Sequence, residues 1–147
     1  MHFMGVDPGV SGGIAVIDEH ARPVRIEKMP ATERDLVELL IDVRGEIAFA
    51  LIEKVHAMPK QGVRSTFTFG RNFGSLLTGL IAAEIPHNEV LPIQWQRALG
   101  CVSKGDKNVT KRKAQQLFPG PRVTHTVADA LLIAAHARNQ HMEGVRG

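Results

Sequence analysis

The segment Ile47-Ala48-Phe49-Ala50-Leu51-Ile52 is apolar without a break and stops abruptly at Glu53. A strand with one face in water alternates polar and apolar residues. A strand without alternation suits burial on both faces, as in the middle of a parallel sheet with helices packed above and below it. This run places the chain among α/β proteins. Phe3–Val6 is a second short apolar strand, Ile14–Ile17 follows a Gly-rich turn, and Val24–Lys28 follows the turn Ala21-Arg22-Pro23, together an antiparallel meander. Thr32 followed by Asp35 reads as a helix start, with Leu36, Leu40 and Val43 at helical spacing and Gly45 ending the helix. Further along, Arg71–Ile85 reads as a helix, Glu89–Pro92 as a short strand, and Ile93–Leu99, Val109–Phe118 and Ala128–Arg138 as helices. The expected fold is a mixed five-stranded sheet with an N-terminal antiparallel meander and helices on both faces. No repeat, low-complexity tract or linker divides it, so residues 1–147 are expected to form one domain.

Composition narrows the function classes. Apolar residues make up 44% and charged residues 22%, enough for a real core. The single cysteine, Cys101, excludes a disulfide framework and a Cys-rich zinc site. No signal-peptide pattern and no run of the roughly 20 apolar residues a membrane span needs is present, so a soluble cytoplasmic protein without membrane contact is expected. Charge is unevenly spread: residues 1–53 carry five Lys/Arg against ten Asp/Glu, and residues 54–147 carry thirteen against five. A net charge of +3 thus hides a segment at −5 and one at +8, and the basic segment suits either a polyanionic partner or an ordinary solvated surface.

Three acids stand where such a fold concentrates chemistry. Asp7 ends the first strand, Glu53 ends the buried fourth strand, and Asp129 opens the last helix. A carboxylate at the edge of a core is poorly solvated, and three converging on one point repel one another unless a cation neutralises them. Oxygen-rich sites select hard ions such as Mg²⁺ or Mn²⁺. Taken singly, each acid is also explained as a helix cap or surface residue, Asp129 most readily.

Gly5-Val6-Asp7-Pro8-Gly9-Val10-Ser11-Gly12-Gly13-Ile14-Ala15 resembles the opening motif of RuvC-type Holliday junction resolvases, within the ribonuclease H-like superfamily. The resemblance continues through Leu51-Ile52-Glu53-Lys54-Val55, Pro59-Lys60-Gln61-Gly62, Val90-Leu91-Pro92 with Gln94-Trp95 and Leu99-Gly100, and Val127-Ala128-Asp129-Ala130-Leu131-Leu132-Ile133-Ala134. It spans nearly the whole chain, and its style is that of the bacteriophage branch. It implies a DNA recombination and repair endonuclease that cuts four-way junctions symmetrically and leaves 5′-phosphates. Two metal ions, Mg²⁺ or Mn²⁺, would serve each site, one activating the attacking water and the other stabilising the leaving 3′-oxygen. No nucleotide cofactor is implied, and a phage-encoded member would work in the host cytoplasm. By motif position, Asp7, Glu53 and Asp129 take the family's acidic metal-binding places. A fourth place, usually an Asp one turn earlier, is filled here by His125. Histidine favours Mn²⁺ over Mg²⁺ more than a carboxylate does, and its protonation would lower activity at low pH. The alternative for His125 is a helix-start residue without metal contact.

Lys104, Lys107, Lys111, Arg112 and Lys113 fall within ten residues, with Lys107 and Lys111 on one helical face if that helix starts early. They are candidates for holding DNA phosphates, or a solvated face. Lys60, Arg64 and Arg71 form a second basic set after Glu53. The resemblance places a junction-probing aromatic on this segment. Its usual position holds His56, which leaves Phe67 and Phe69 as wedge candidates or, on the blander reading, core residues. Gly70, Gly74, Thr78 and Ala82 make a small-residue stripe that suits either packing on the sheet or a second copy of the chain, and a homodimer matches the twofold symmetry of a four-way junction. Competing readings are a nuclease for flaps, forks or other branched substrates, a non-cleaving junction-binding protein, and a phosphate-cradling relative of actin-like ATPases. The last lacks the second domain such enzymes use.

Overall fold

Two apolar clusters, one on each face of a central sheet, explain why the Ile47–Ile52 run needs no polar side. The computed structural model describes residues 1–147. Its strands are β1 (His2–Asp7), β2 (Gly13–Asp18), β3 (Pro23–Lys28), β4 (Ile47–Glu53) and β5 (His87–Val90). Its helices are α1 (Glu33–Val43), α2 (Val63–Ala82), α3 (Pro92–Ala98), α4 (Lys107–Leu117) and α5 (His125–Arg146). The sheet order is β3-β2-β1-β4-β5. The meander β1-β2-β3 is antiparallel, whereas β4 runs parallel to both β1 and β5. On one face Phe3, Ala15, Ile17 and Leu51 pack with Trp95, Ala114 and the apolar side of α5. On the other, Met4, Val6, Ala50 and Ile52 pack with Leu36 and Leu40 of α1 and Leu76 and Leu80 of α2. The expected mixed sheet, meander and helices on both faces are all present.

The helix start at Thr32 is as read: its hydroxyl accepts from the Asp35 N–H at 3.1 Å, and Glu33 and Asp35 add negative charge where the helix dipole favours it. α2 begins eight residues before the expected Arg71. Its first two turns bury no apolar stripe, Leu76 being its first fully buried residue, so hydrophobic periodicity carried no signal there. It also ends at Ala82 rather than Ile85, because Glu84 turns left-handed (φ 57°) and the Ile85 N–H folds back onto the Leu80 carbonyl at 3.0 Å. β5 spans His87–Val90 rather than Glu89–Pro92, since its pairing with β4 runs from Ala50↔His87 to Glu53↔Val90 and Pro92 already opens α3. α5 is longer than expected at both ends and starts at His125. No helix is long and apolar enough to cross a membrane.

Candidate active site

Strand alternation decides which side the acids face. In β1, Phe3 belongs to the α5-side cluster and Met4 to the opposite one, so the two-residue period sends Gly5 and Asp7 toward α5. In β4, Leu51 lies on the α5 side and Ile52 on the other, which sends Glu53 the same way as Asp7. The parallel register pairs Gly5 with Leu51 and Val6 with Ile52, and one further step brings Asp7 beside Glu53 at the carboxyl ends of neighbouring strands. Gly5 then brings the third acid. A Cβ on Gly5 would fall 2.1 Å from the Ala130 carbonyl oxygen and 2.3 Å from the Ala134 nitrogen, so the α5 backbone rests directly on β1. Asp129 precedes Ala130 and is carried over the strand end by that contact.

Two other elements close the site. After Asp7, the chain turns through Pro8 and Gly9, where Gly9 adopts φ 107°. The Gly9 N–H donates to Asn72 Oδ1 at 2.7 Å, and the Phe69 ring lies 3.0 Å from where a Gly9 Cβ would stand. The α2 face carrying Phe69 and Asn72 thus clamps the turn that follows Asp7. From the opposite direction, the Asp106 carboxylate accepts from the Asn108 N–H at 2.9 Å and caps α4. That cap makes Lys107 the first helical residue, with Thr110 buried one turn on.

Asp7, Glu53, Asp129 and Lys107 line one cavity of about 650 Å³ with Gly9, Ser11, Arg64, Thr68 and Phe69. Burial raises the pKa of Asp7 well above the usual carboxylate range, and the negative charges of Glu53 and Asp129 raise it further, against an opposing pull from Lys107. Burial pushes Glu53 up to about 7, opposed by its hydrogen bond from Trp95, with Asp129 adding to the rise. Asp129 is raised by burial and held back by the Thr110 hydroxyl, Lys107 and His125. The Trp95 indole Nε1 donates to Glu53 Oε2 at 2.8 Å. As they stand, no three His, Cys, Asp or Glu side chains are arranged so that they could hold a metal ion. Three carboxylates share the cavity with Lys107 and Arg64, and the remaining excess of negative charge fits a hard divalent cation, which would gather them.

The remaining sequence candidates distribute as follows. His125 is exposed at the first position of α5, one turn before Asp129, and its charge favours the ionised form of Asp129, but it does not line the cavity. Arg64 lines the cavity. Arg71 points elsewhere, onto Glu33 of α1 at 2.7 Å. Lys60 and Lys104 sit exposed on loops, both at left-handed backbone positions. Arg112 and Lys113 line a separate hollow with Cys101, and Lys111 is half-buried on α4. His56 is exposed, Phe67 projects into solvent at 71% exposure, and Phe69 is half-buried against Gly9. Residues 67 and 69 lie on opposite sides of α2, which separates the two wedge candidates. Sequence reading did not find the roles of Trp95, Thr110 and Asn72 as partners of the site. Only Trp95 gave any hint, as the sole tryptophan in a short segment between two apolar stretches.

The sheet order β3-β2-β1-β4-β5 with helices on both faces is a mixed α/β fold, and the solved structures it superposes on give it the RuvC, or ribonuclease H-like, type. No protein-family model matches the chain, and a search of characterised proteins returns no match. Among solved structures, Thermus thermophilus RuvC superposes with a TM-score of 0.71 at 21% sequence identity, covering 97% of each chain. T. thermophilus RuvC in complex with a Holliday junction substrate superposes with a TM-score of 0.74 at 20% identity, covering 97% of this chain and 96% of the other.

Proposed function

We propose that this chain, acting as one domain over residues 1–147, is a structure-selective endodeoxyribonuclease that resolves four-way DNA junctions, of the bacteriophage RuvC branch. The observation that carries the reading is the meeting of Asp7, Glu53 and Asp129 in one cavity beside Lys107. Asp7, Glu53 and Asp129 would hold Mg²⁺ or Mn²⁺, with His125 as a fourth ligand from the preceding turn of α5. Two such ions would supply the Lewis acidity for water attack on phosphorus and for departure of the 3′-oxygen, leaving a 5′-phosphate. Lys107 binds a phosphate oxygen and steadies charge developing on it. Arg64, Lys60 and the α4 set Lys104, Lys111, Arg112 and Lys113 hold flanking phosphates, and Arg71 joins them by exchanging its Glu33 partner for DNA. Phe67 has the exposure a wedge needs, with His56 in the loop before α2 and Phe69 on the opposite side of α2 as the other candidates.

The small-residue stripe favours a homodimer. Gly70, Gly74, Thr78 and Ala82 are all exposed, and a Cβ on Gly70 or Gly74 would touch nothing within 4 Å, so the stripe is not used for packing on the sheet. Val63 and Ile81 extend the same exposed side of α2 at 88 and 67% exposure. Apolar area of this kind suits a second copy, and sedimentation at micromolar concentration is expected to show a dimer.

The test is cleavage of a synthetic four-way junction beside a linear duplex of the same sequence, with Mg²⁺ and with Mn²⁺. Paired symmetric nicks in the junction with the duplex intact support the proposal. Cleavage confined to flaps or forks moves the substrate class, and binding without nicking under either ion reduces the protein to a junction binder. His125→Ala is expected to lower the rate about 10- to 100-fold and raise the ion concentration needed for half-maximal cutting. An unchanged ion requirement would make His125 a solvated helix-start residue.

A further inference from the structure

We propose that Trp95 is a positioning residue for the metal-binding carboxylate Glu53: a rigid indole whose N–H fixes one carboxylate oxygen and so leaves the other to the ion. The inference rests on the reading of Glu53 as a ligand given above. Trp95 is fully buried, packed in the α5-side core with Val90, Cys101 and Ala114. Its helix is pinned at both ends. The Gln94 side chain accepts from the Leu91 N–H at 2.9 Å. At the other end, the Cys101 N–H donates to the Gln96 carbonyl at 2.8 Å, and Gln96 Oε1 accepts from the Ser103 N–H at 3.2 Å. A ring held this way cannot follow a moving partner, so Glu53 has to come to it.

The contact itself is direct, Nε1 to Oε2 at 2.8 Å, within the range of charge-assisted bonds. No other hydrogen bond reaches the Glu53 carboxylate. Its long side chain would otherwise be free to rotate at the end of β4, pushed away by Asp7 and Asp129. The same stretch of chain, from α3 into α4, also delivers Lys107 to Asp7 and Asp129 and Thr110 to Asp129. A buried indole N–H needs some acceptor for its own sake. If that were its only purpose, the bond would be indifferent to ions in the cavity, and this separates the two roles.

Trp95 is the only tryptophan, so the protein has one indole N–H resonance. In ¹⁵N-labelled wild-type protein that resonance is expected to move saturably with added Mg²⁺, with a midpoint matching the Mg²⁺ dependence of junction cleavage. In Glu53→Gln it is expected to start from a different position and to lose the response. Trp95→Phe, which keeps an aromatic ring in the core but has no donor, is expected to raise the Mg²⁺ midpoint for cleavage about tenfold with the far-UV circular dichroism of wild type. An indole signal that ignores Mg²⁺ and is the same in Glu53→Gln overturns the proposal. So does a folded Trp95→Phe with the wild-type midpoint. The resonance decides the matter without the substitution should Trp95→Phe not fold. A wild-type protein that cuts no junction yet moves its indole signal with Mg²⁺ removes the nuclease reading and leaves the Trp95–Glu53 brace standing.

Discussion

Asp7→Asn is expected to lower junction cleavage by about a thousandfold or more and, in the same protein, to raise the melting temperature measured without divalent ions at neutral pH. The loss follows from the position of Asp7 at the end of the central strand, between Glu53 across the sheet and Asp129 on α5. The gain follows from the charge it carries. Burial and two neighbouring carboxylates hold the folded-state pKa of Asp7 well above its unfolded value, so the fold binds a proton that the unfolded chain releases first. Stability from such a group is fully present below the unfolded pKa and is lost as pH rises through the folded one. Glu53 behaves alike, with a window from about 4.5 to about 7. Metal-free wild-type protein should therefore lose stability across that window, by up to roughly 3 kcal/mol for a shift of this size.

Asparagine mimics the neutral carboxyl, so the variant and wild type should melt together near pH 4 and separate progressively toward pH 7. Addition of Mg²⁺ should then stabilise wild type by mass action and leave the variant nearly unchanged. Thermal melts at four or five pH values, with and without 10 mM-scale Mg²⁺, check all three expectations. A variant less stable than wild type at pH 7 without metal would contradict the electrostatic account, and undiminished cutting would remove Asp7 from the mechanism.

Gly5→Val should be the most damaging substitution outside the acids. A Cβ at this position meets backbone atoms of α5 at 2.1, 2.3 and 2.9 Å, and backbone cannot swing aside as a side-chain tip can. To admit the valine, α5 must lift off β1, opening the core cluster that contains Phe3, Leu51 and Leu131 and carrying Asp129 away from Asp7. A cost above about 3 kcal/mol is expected, a fall of roughly 10 °C or recovery only as insoluble protein. Gly74→Ala is the matched control: its Cβ enters open space on an exposed helix face, and it should be neutral or stabilise the monomer by about 0.5–1 kcal/mol. Loss of stability in Gly74→Ala with none in Gly5→Val would invert the packing described here. Guanidinium unfolding of the two variants beside wild type decides it.

What the sequence determined by itself was whatever local pattern controls. The unbroken Ile47–Ile52 run required two apolar faces and hence helices on both sides of β4, and the turn residues after Asp7 and before Ile14 required a hairpin. Asp7 and Glu53 drew attention because an acid that ends an apolar strand is locally anomalous, whereas Asp129, an ordinary helix-start acid taken alone, stood out only together with the other two and the family resemblance. Tertiary structure alone decided what depends on distant segments meeting. The start of α2 at Val63 was hidden because its first turns bury no stripe; contacts from Phe69 and Asn72 to the Gly9 turn secure them instead. That Lys107, of all the lysines in its cluster, enters the acid cavity followed from the Asp106 cap that places it at the head of α4. The 42-residue separation between Trp95 and Glu53 leaves no periodic trace in the chain, and their 2.8 Å contact exists only because Glu53 faces the side of the sheet on which α3 packs. Hydrophobic burial acts on patterns a few residues long and so can be read along the chain, whereas hydrogen bonds and charge pairs between elements depend on where the core, once formed, happens to put their ends.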